Sequence, residues 1–159
     1  VVKLIEQREK LQRKFATEPG NLQPLISTTD RDKIFLDKIN AIIERNMGDA
    51  EFKLDTYAPA LGLGRTTFYS KLKSIVGCSP NEYVRLLRMK RAAELLITSD
   101  INISEAGYQV GINDPFYFSK CFKNTFGKSP SQYRKSAERR IWKKIRAKKT
   151  SDFFIVGEE

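Results

Sequence analysis

Apolar residues recur at helical spacing along most of the chain, and no segment alternates apolar and polar positions for long enough to predict a strand. The first clear pattern predicts a helix over residues 30–47, which begins after the capping residue Thr29 and ends at Gly48. The apolar stripe of this helix consists of Ile34, Phe35, Ile39, Ile42 and Ile43. The pattern therefore places the chain in the all-α class.

Capping and turn signals divide the next part of the chain into further helices. Residues 79–82 combine a capping serine, a proline at the first helical position and a glutamate three residues after the cap. Similar start signals stand at residues 114–115 and 129–130, and Gly77 and Gly127 are stop signals. We predict helices over residues 55–61, 65–76, 80–98, 103–111 and 115–126, and a final helix that begins at residue 130.

The chain contains the same pattern twice. Residues 54–85 and 103–134 each hold a short apolar helix, a glycine-containing turn and a longer helix with basic residues. Equivalent residues are 49 positions apart in the first part of the repeat and 50 apart after a one-residue insertion. This is the outline of a helix-turn-helix unit that binds DNA. Two units indicate one molecule that reads two stretches of a duplex.

The two ends of the chain lie outside the repeat. Residues 1–16 have helical spacing, and residues 17–29 contain two prolines and a glycine, which is typical of a linker. Residues 153–156 could form an edge strand, pack on a neighbouring surface or be disordered. The chain begins with valine rather than methionine, so we expect it to be a piece of a longer protein. The predicted organisation is a helical and linker segment over 1–29, a double helix-turn-helix domain over 30–136 and a basic tail over 137–159.

The positive charge of the chain is concentrated in the repeat and the tail. The formal net charge is +10. Residues 65–91 carry seven basic residues and one acidic residue, and residues 120–149 carry twelve and one. Residues 30–55 carry five basic and seven acidic residues. This asymmetry indicates a polyanionic partner. A basic, solvated surface is the alternative that charge alone leaves open.

The residues that most enzymes need are missing or wrongly spaced. The chain has no histidine, which removes the commonest general base and metal ligand. Cys78 and Cys121 lack metal-ligand and disulfide spacing, so we expect reduced thiols in a cytoplasmic protein, with Cys121 buried in a helix. Residues 62–64 lack the strand and the Lys-Ser/Thr ending of a phosphate-binding loop. We expect no enzyme activity, no metal or other cofactor and no membrane span.

The longer helix of each unit should bury an apolar face and present polar and basic residues on the other. Such a helix can enter the major groove, where base edges carry a distinguishing pattern. The predicted core residues are Phe68, Leu72, Ile75 and Val76 in the first unit and Phe118, Phe122 and Phe126 in the second. The predicted DNA-contacting residues are Arg65, Thr66, Tyr69, Ser70 and Lys73 in the first unit and Pro115, Phe116, Ser119, Lys120 and Lys123 in the second.

Each of these assignments has an alternative. Lys73 and Lys123 occupy matching positions, which favours phosphate contacts over ordinary solvated lysines. Arg65 is disfavoured by the helix dipole at its position, which favours a functional role. Phe116 can contact a thymine methyl group or pack on its own fold. Tyr69 can donate to a phosphate or pack on the surface.

The second copy also resembles a known family. Its sequence from Ile103 to Arg134, ISEAGYQVGINDPFYFSKCFKNTFGKSPSQYR, resembles the signature of the AraC/XylS transcription regulators almost throughout. The resemblance covers about residues 30–136 and implies a seven-helix bundle, in which two helix-turn-helix units are joined by the helix over 80–98. That helix would be about 28 Å long, close to the ~34 Å turn of B-DNA. Gly64 stands where the family usually has a capping serine, and Pro59 lies inside the first short helix, where it removes a hydrogen bond.

The resemblance implies sequence-specific binding of double-stranded DNA for transcription regulation. The opening residues LIEQREKLQRKF resemble the stretch after the receiver domain of hybrid two-component regulators, so the chain would be the C-terminal output domain of such a protein. RNA polymerase is a candidate partner of the domain. A homodimer would form through the absent upstream domains, and we expect no small-molecule ligand in this chain. The alternative is non-specific binding of nucleic acid or a membrane surface through the basic residues of 139–149.

Overall fold

The computed structural model describes residues 29–155, with side chains described as far as residue 149. This part of the chain contains six α-helices and two short 3₁₀ helices. The α-helices are α1 (Asp30–Arg45), α2 (Arg65–Val76), α3 (Pro80–Thr98), α4 (Ile103–Gln109), α5 (Pro115–Phe126) and α6 (Pro130–Ile155), and the 3₁₀ helices span Leu54–Tyr57 and Pro59–Leu61. The predicted all-α class is confirmed. The helix predicted over residues 1–16 and the linker up to residue 28 lie outside the described residues.

Local capping chemistry accounts for where most helices begin. The Ser79 hydroxyl accepts a hydrogen bond from the Glu82 amide at 3.3 Å, and the Glu82 carboxylate accepts one from the Ser79 amide at 3.3 Å. The same reciprocal pair forms between Asn102 and Glu105, at 2.9 Å in both directions. Each pair satisfies two amides that a helix start leaves without a partner. The start signals in the sequence are therefore used as predicted.

The short helix predicted over 55–61 is not an α-helix. It is replaced by the two 3₁₀ helices, in which Ala58 donates to Asp55 at 3.3 Å and Leu61 donates to Ala58 at 3.0 Å. Pro59 is the physical reason, because it has no amide hydrogen and its ring clashes with the carbonyl group four residues earlier. Pro59 thus excludes a continuous α-helix, and residues 29–155 contain six α-helices instead of the seven that were predicted.

The last helix continues without a break into the segment predicted as a tail. α6 extends to Ile155, so the edge strand considered for residues 153–156 is wrong for residues 153–155. Residues 137–150 contain no glycine or proline and are rich in arginine, lysine and alanine, which favour helices. Ala137 is buried, whereas every residue from Glu138 to Lys149 is exposed. The helix therefore leaves the core just after Ala137.

The buried side chains form two clusters. The first lies among α1, the 3₁₀ segment, α2 and the start of α3, and includes Phe35, Ile39, Phe68 and Leu72. The second lies among the rest of α3, α4, α5 and the start of α6. Its members include Met89, Leu96, Phe118, Phe122 and Tyr133. Each helix-turn-helix unit thus has its own core, and α3 contributes to both.

The buried face of α1 is shifted from its prediction. Ile34 is 57% exposed, although the apolar stripe placed it in the core. Leu36 is buried instead, alongside Phe35, Ile39 and Ile43. The shift follows from the helical period, since Leu36 stands three residues before Ile39 and seven before Ile43, on the same face.

Glycines with positive φ occur at equivalent turns of the two units. Gly62 has φ 72° and Gly111 has φ 77°. Their surroundings differ. A Cβ atom at Gly111 would lie 2.8 Å from the Met47 carbonyl oxygen and 3.1 Å from Cζ of Arg88, whereas one at Gly62 would have nothing within 4 Å. Gly62 is needed for its backbone conformation alone, and Gly111 also for close packing.

This difference makes the two glycines a matched pair for a stability measurement. We expect Gly62→Ala to lower the free energy of unfolding by about 1–2 kcal/mol, the cost of a left-handed residue. Gly111→Ala should cost more, about 2–4 kcal/mol, because atomic overlap adds to that cost. Urea unfolding of the two variants and the parent protein measures both values. Equal losses at the two positions would contradict the packing role of Gly111.

Candidate nucleic-acid interface

The outward face of α2 carries the residues predicted for it. Arg65, Thr66, Tyr69 and Ser70 are exposed, and Lys73 is half-buried. The opposite face is fixed in the first cluster by Phe68, Leu72 and Ile75. These three side chains follow i, i+4, i+7 spacing, so they hold the helix in one rotational setting. The polar residues between them must then face away from the core.

α5 presents an equivalent face from the second unit. Pro115, Phe116, Lys120 and Lys123 are exposed and Ser119 is half-buried. Phe118, Phe122 and Phe126 anchor the helix, and the Phe122 ring lies 4.6 Å from the Phe126 ring and 5.3 Å from the Tyr133 ring. The phenylalanine-rich core of this helix confirms the predicted inward face.

The two faces correspond position by position. Each predicted contact residue of α2 has a counterpart in α5 50 positions later: the pairs are Arg65/Pro115, Thr66/Phe116, Tyr69/Ser119, Ser70/Lys120 and Lys73/Lys123. Only the last pair has the same residue. The shared geometry therefore presents two different chemical surfaces, of which the first has an arginine and a tyrosine and the second has a phenylalanine and a second lysine.

Phe116 is the most exposed large apolar side chain of the described residues. It is 87% exposed, although it lies in a helix with a strongly buried opposite face. The alternative in which Phe116 packs on its own fold is therefore wrong. Covering an exposed apolar ring with another surface removes it from water, which is favourable in free energy.

Arg65 is held by Asp55, a residue outside the predicted set. Its Nε donates a hydrogen bond to Asp55 Oδ2 at 3.0 Å, and its Nη2 forms an ion pair with the same carboxylate. The Arg65 side chain is nevertheless 72% exposed. Asp55 belongs to the first 3₁₀ helix, ten residues earlier in the chain. The contact orients the guanidinium across the turn and leaves its outer edge accessible.

Two lysines of α2 lie against aromatic rings on different sides of the helix. The Lys73 ammonium lies 5.7 Å from the centroid of the Tyr69 ring, and both belong to the outward face. The Lys71 ammonium lies 4.5 Å from the centroid of the Phe35 ring in α1. The attraction between a cation and the ring face holds each lysine near its partner. Lys71 is thereby directed towards the fold and Lys73 remains part of the outward face.

The starts of α2 and α5 are capped differently. Gly64 precedes α2 and provides no side-chain hydrogen bond, as its departure from the family pattern predicts. Asp114 precedes α5, and its Oδ1 accepts from the amides of Phe116 at 2.9 Å and Tyr117 at 3.3 Å. The carboxylates of Asp55 and Asp114 are thus both engaged in contacts within the protein.

Tyr117 is an exposed residue of α5 that the predicted set lacked. It is 46% exposed and lies between the two predicted residues Phe116 and Ser119 in sequence. A hydrogen bond with Cys121, together with partial burial, raises the pKa of Tyr117 above its usual value. Thr67 in α2 and Asn124 in α5 are also exposed polar residues outside the predicted set. The exposure of a single surface tyrosine leaves no periodic pattern in the sequence, so Tyr117 is recognised as part of the exposed surface only in the structure.

The exposed part of α6 forms a separate basic surface. From Arg139 to Lys149 it carries seven basic residues, together with the exposed side chains of Ile141, Trp142 and Ile145. Within residues 29–155, no group of three or more metal-ligating side chains is placed to hold an ion. None of the helices in this range combines the length and apolar character that crossing a bilayer requires.

The sequence of this chain is similar to those of known proteins. A family model described as a helix-turn-helix domain matches residues 57–136. Histidine kinase P4 of Formosa agariphila is 40% identical over 130 residues, which make up 82% of this chain and 10% of that protein. The chain spans between 10% and 42% of the length of three curated relatives that it matches.

Two solved structures have similar folds. The DNA-binding domain of AdpA, solved in complex with a target DNA, is 27% identical with a TM-score of 0.60, and the match covers 66% of this chain and 94% of that domain. The C-terminal domain of AraT, a response regulator from Geobacillus stearothermophilus, is 29% identical with a TM-score of 0.58, and the match covers 64% of this chain and 84% of that domain.

Two helix-turn-helix units on a shared helix, each with an outward polar and basic face, define a DNA-binding domain of a transcription regulator. The chain belongs to the helix-turn-helix domain family that matches residues 57–136, and within it to the AraC type. The resemblance stated from the motif over 103–134 is thereby confirmed.

Proposed function

We propose that the protein reads two successive stretches of the major groove, one with α2 and one with α5. The correspondence of the outward faces, position by position across the repeat, carries this proposal. A helix that enters the groove needs an apolar face on its own domain and short polar or basic side chains on the other, and both helices have them. α3, with 19 residues, separates the two units by about one turn of a duplex.

The outward residues divide by chemistry into two roles. Lys73, Lys120 and Lys123 contact phosphates, because an ammonium group on a flexible stem is a strong but non-directional partner for them. Arg65, Thr66, Ser70, Phe116 and Ser119 contact base edges. Arg65 suits a guanine, whose two acceptors match its planar fork, and Phe116 suits a thymine methyl group. Tyr69 donates to a phosphate beside Lys73, and Pro115 starts α5 at the groove.

The domain works as the output module of a longer signalling protein. The match to a small part of a histidine kinase and to the C-terminal domain of a response regulator supports this role. Residues 1–29 connect the domain, over 30–136, to the upstream part, which dimerises to set activity on repeated sites. The DNA-bound domain acts in the cytoplasm and contacts RNA polymerase, and it needs no cofactor.

Selection of bound sequences from a random pool of duplexes tests the proposal directly. The expected result is a site with two short sequence elements whose centres lie about 10 base pairs apart, one for each helix. Two outcomes would exclude the proposal that α2 and α5 each read a stretch of the major groove. One is a pool with no preferred sequence, and the other is a single uninterrupted element of the length that one helix can read. The selected duplex serves as the specific site in the measurements that follow.

Arg65 and Asp55 should affect discrimination between duplexes. Arg65→Ala is expected to cost roughly 1–3 kcal/mol on the selected site and little on scrambled DNA, because the lost contact is to a base. Asp55→Asn should strengthen binding to scrambled DNA, because a carboxylate that repels phosphates is removed. It should weaken binding to the selected site, because the released Arg65 is no longer oriented towards its base. A parallel gain on both duplexes would show that Asp55 does not orient Arg65.

The lysines should affect all duplexes alike. Lys73→Ala and Lys123→Ala are each expected to weaken binding to selected and scrambled DNA by the same factor and to reduce the slope of log affinity against log salt by about one. Lys71→Ala is the matched control, since Lys71 is also in α2 but lies over the Phe35 ring. A change in the ratio between the two duplexes would assign either lysine to base contacts instead.

The exposed part of α6 supports a second function, non-specific binding of a polyanion. Truncation after Ala137 tests it, because this removes the basic surface and keeps every residue of α6 that is buried within the range up to residue 149. If the repeat carries specificity, the truncated protein binds all duplexes more weakly and keeps its preference for the selected site, with a smaller salt slope. Loss of binding to the selected and scrambled duplexes together would assign DNA binding to α6 and contradict the groove proposal. Anionic vesicles in the same titration test a membrane surface.

A further inference from the structure

Arg88 is a charged side chain in the core. It stands in the middle of α3 and is 9% exposed, and no other charged residue of the described range is buried. Burial lowers the pKa of Arg88 from its usual value. A guanidinium group withdrawn from water is costly to the fold, and apolar residues of the same size often serve stability equally well. Its presence calls for a role other than stability.

The guanidinium joins the two helix-turn-helix units. Nη2 donates a hydrogen bond to the Asp49 carbonyl at 2.6 Å, in the loop that follows α1. Nη1 donates to the Gly111 carbonyl at 3.4 Å, in the turn between α4 and α5. Nε is buried and has no hydrogen-bond partner among the described residues. One side chain therefore contacts the first unit with one nitrogen and the second unit with another.

The packing around the group is tight on both sides. A Cβ atom at Gly111 would lie 3.1 Å from Cζ and Nη2 of Arg88 and 2.8 Å from the Met47 carbonyl oxygen. The Met47 side chain also contacts both hydrophobic clusters. The end of α1, the centre of α3 and the turn before α5 thus meet at this guanidinium. Its planar, rigid fork fixes the directions of both hydrogen bonds, which an apolar side chain could not do.

We propose that Arg88 is a positioning residue that sets the relative orientation of the two units, and through it the spacing between the two DNA elements that the protein accepts. The inference rests on the proposed reading of two grooves by α2 and α5. An insertion of one base pair rotates one element by about one-tenth of a turn relative to the other. Two units that are joined by the Arg88 hydrogen bonds cannot adjust their relative orientation to that rotation. Without those hydrogen bonds the units can adjust and still bind both elements.

The test compares Arg88→Met with the parent protein on a set of duplexes. The set contains the selected site, the same site with one or two base pairs inserted or removed between its elements, and two duplexes with one element scrambled. Methionine keeps most of the apolar stem and removes the fork. Arg91→Met is the matched control, because Arg91 lies on the exposed side of α3 and is paired with Glu94 at 3.2 Å. Circular dichroism and thermal unfolding verify the fold of each variant.

The parent protein and Arg91→Met should lose roughly tenfold or more in affinity for each altered spacing. For Arg88→Met we expect roughly tenfold weaker binding at the selected spacing, a penalty for altered spacing reduced to about twofold, and unchanged affinity for the duplexes with one scrambled element. Arg88→Lys keeps the charge but lacks the fork, so it should relax the spacing in the same way. It provides the measurement if the methionine variant does not fold.

An unchanged spacing penalty in folded Arg88 variants would overturn the inference and leave the proposed function intact. Equal weakening on every duplex, including those with one scrambled element, would also overturn it, because Arg88 would then be only structural. A parent protein that tolerates every spacing overturns it as well. A parent protein that shows no preference for the selected site at all would instead overturn the proposed function.

Discussion

The sharing of α3 by two hydrophobic clusters is the constraint on which the rest of the structure depends. One end of the helix buries Tyr83, Val84 and Leu87 in the first cluster, and the other buries Met89, Ala92 and Leu96 in the second. Rotating either unit about this helix exposes apolar side chains to water, at a cost of about 25 cal/mol for each Å², and the hydrogen bonds of Arg88 add a directional constraint to that cost. The Tyr83 hydroxyl donates to Asn40 at 2.7 Å, and Arg134 donates to the Leu96 carbonyl at 3.0 Å. These polar contacts bind α1 and α6 to opposite ends of the same helix.

The two hydrophobic clusters on α3 also determine where the outward faces of α2 and α5 lie. α2 is held by three buried side chains and α5 by five, so the direction of every outward residue follows from the core. Glycines allow the close approaches that make this possible. At Gly107 a Cβ atom would lie 3.1 Å from the Ile112 carbonyl oxygen and 3.2 Å from Cγ of Phe118. A surface for reading DNA can thus be variable in chemistry and constant in geometry, as the differing pairs of the repeat illustrate.

The parts of the structure that local signals determine could be predicted from the sequence. Capping residues mark the starts of α3 and α5, glycines mark the ends of α2 and α5, and all three helices have the predicted bounds. The contact between Arg65 and Asp55 spans a turn, and Arg88 reaches partners 39 and 23 residues away. Pairings of that kind depend on the whole fold and leave no periodic signal. The helical apolar pattern of residues 55–61 conceals the pair of 3₁₀ helices, which Pro59 alone signals.

The exposure of Phe116 bears on the thermodynamics of the bound state. A phenyl ring that stands in water before association and is covered afterwards contributes a term driven by the release of hydration water. That term lowers the heat capacity of the complex and is almost indifferent to ionic strength. The lysines of the two outward faces, Lys73, Lys120 and Lys123, would instead contribute through displaced counterions. Raising the salt concentration would therefore weaken the lysine contributions of both units and leave that of the Phe116 ring.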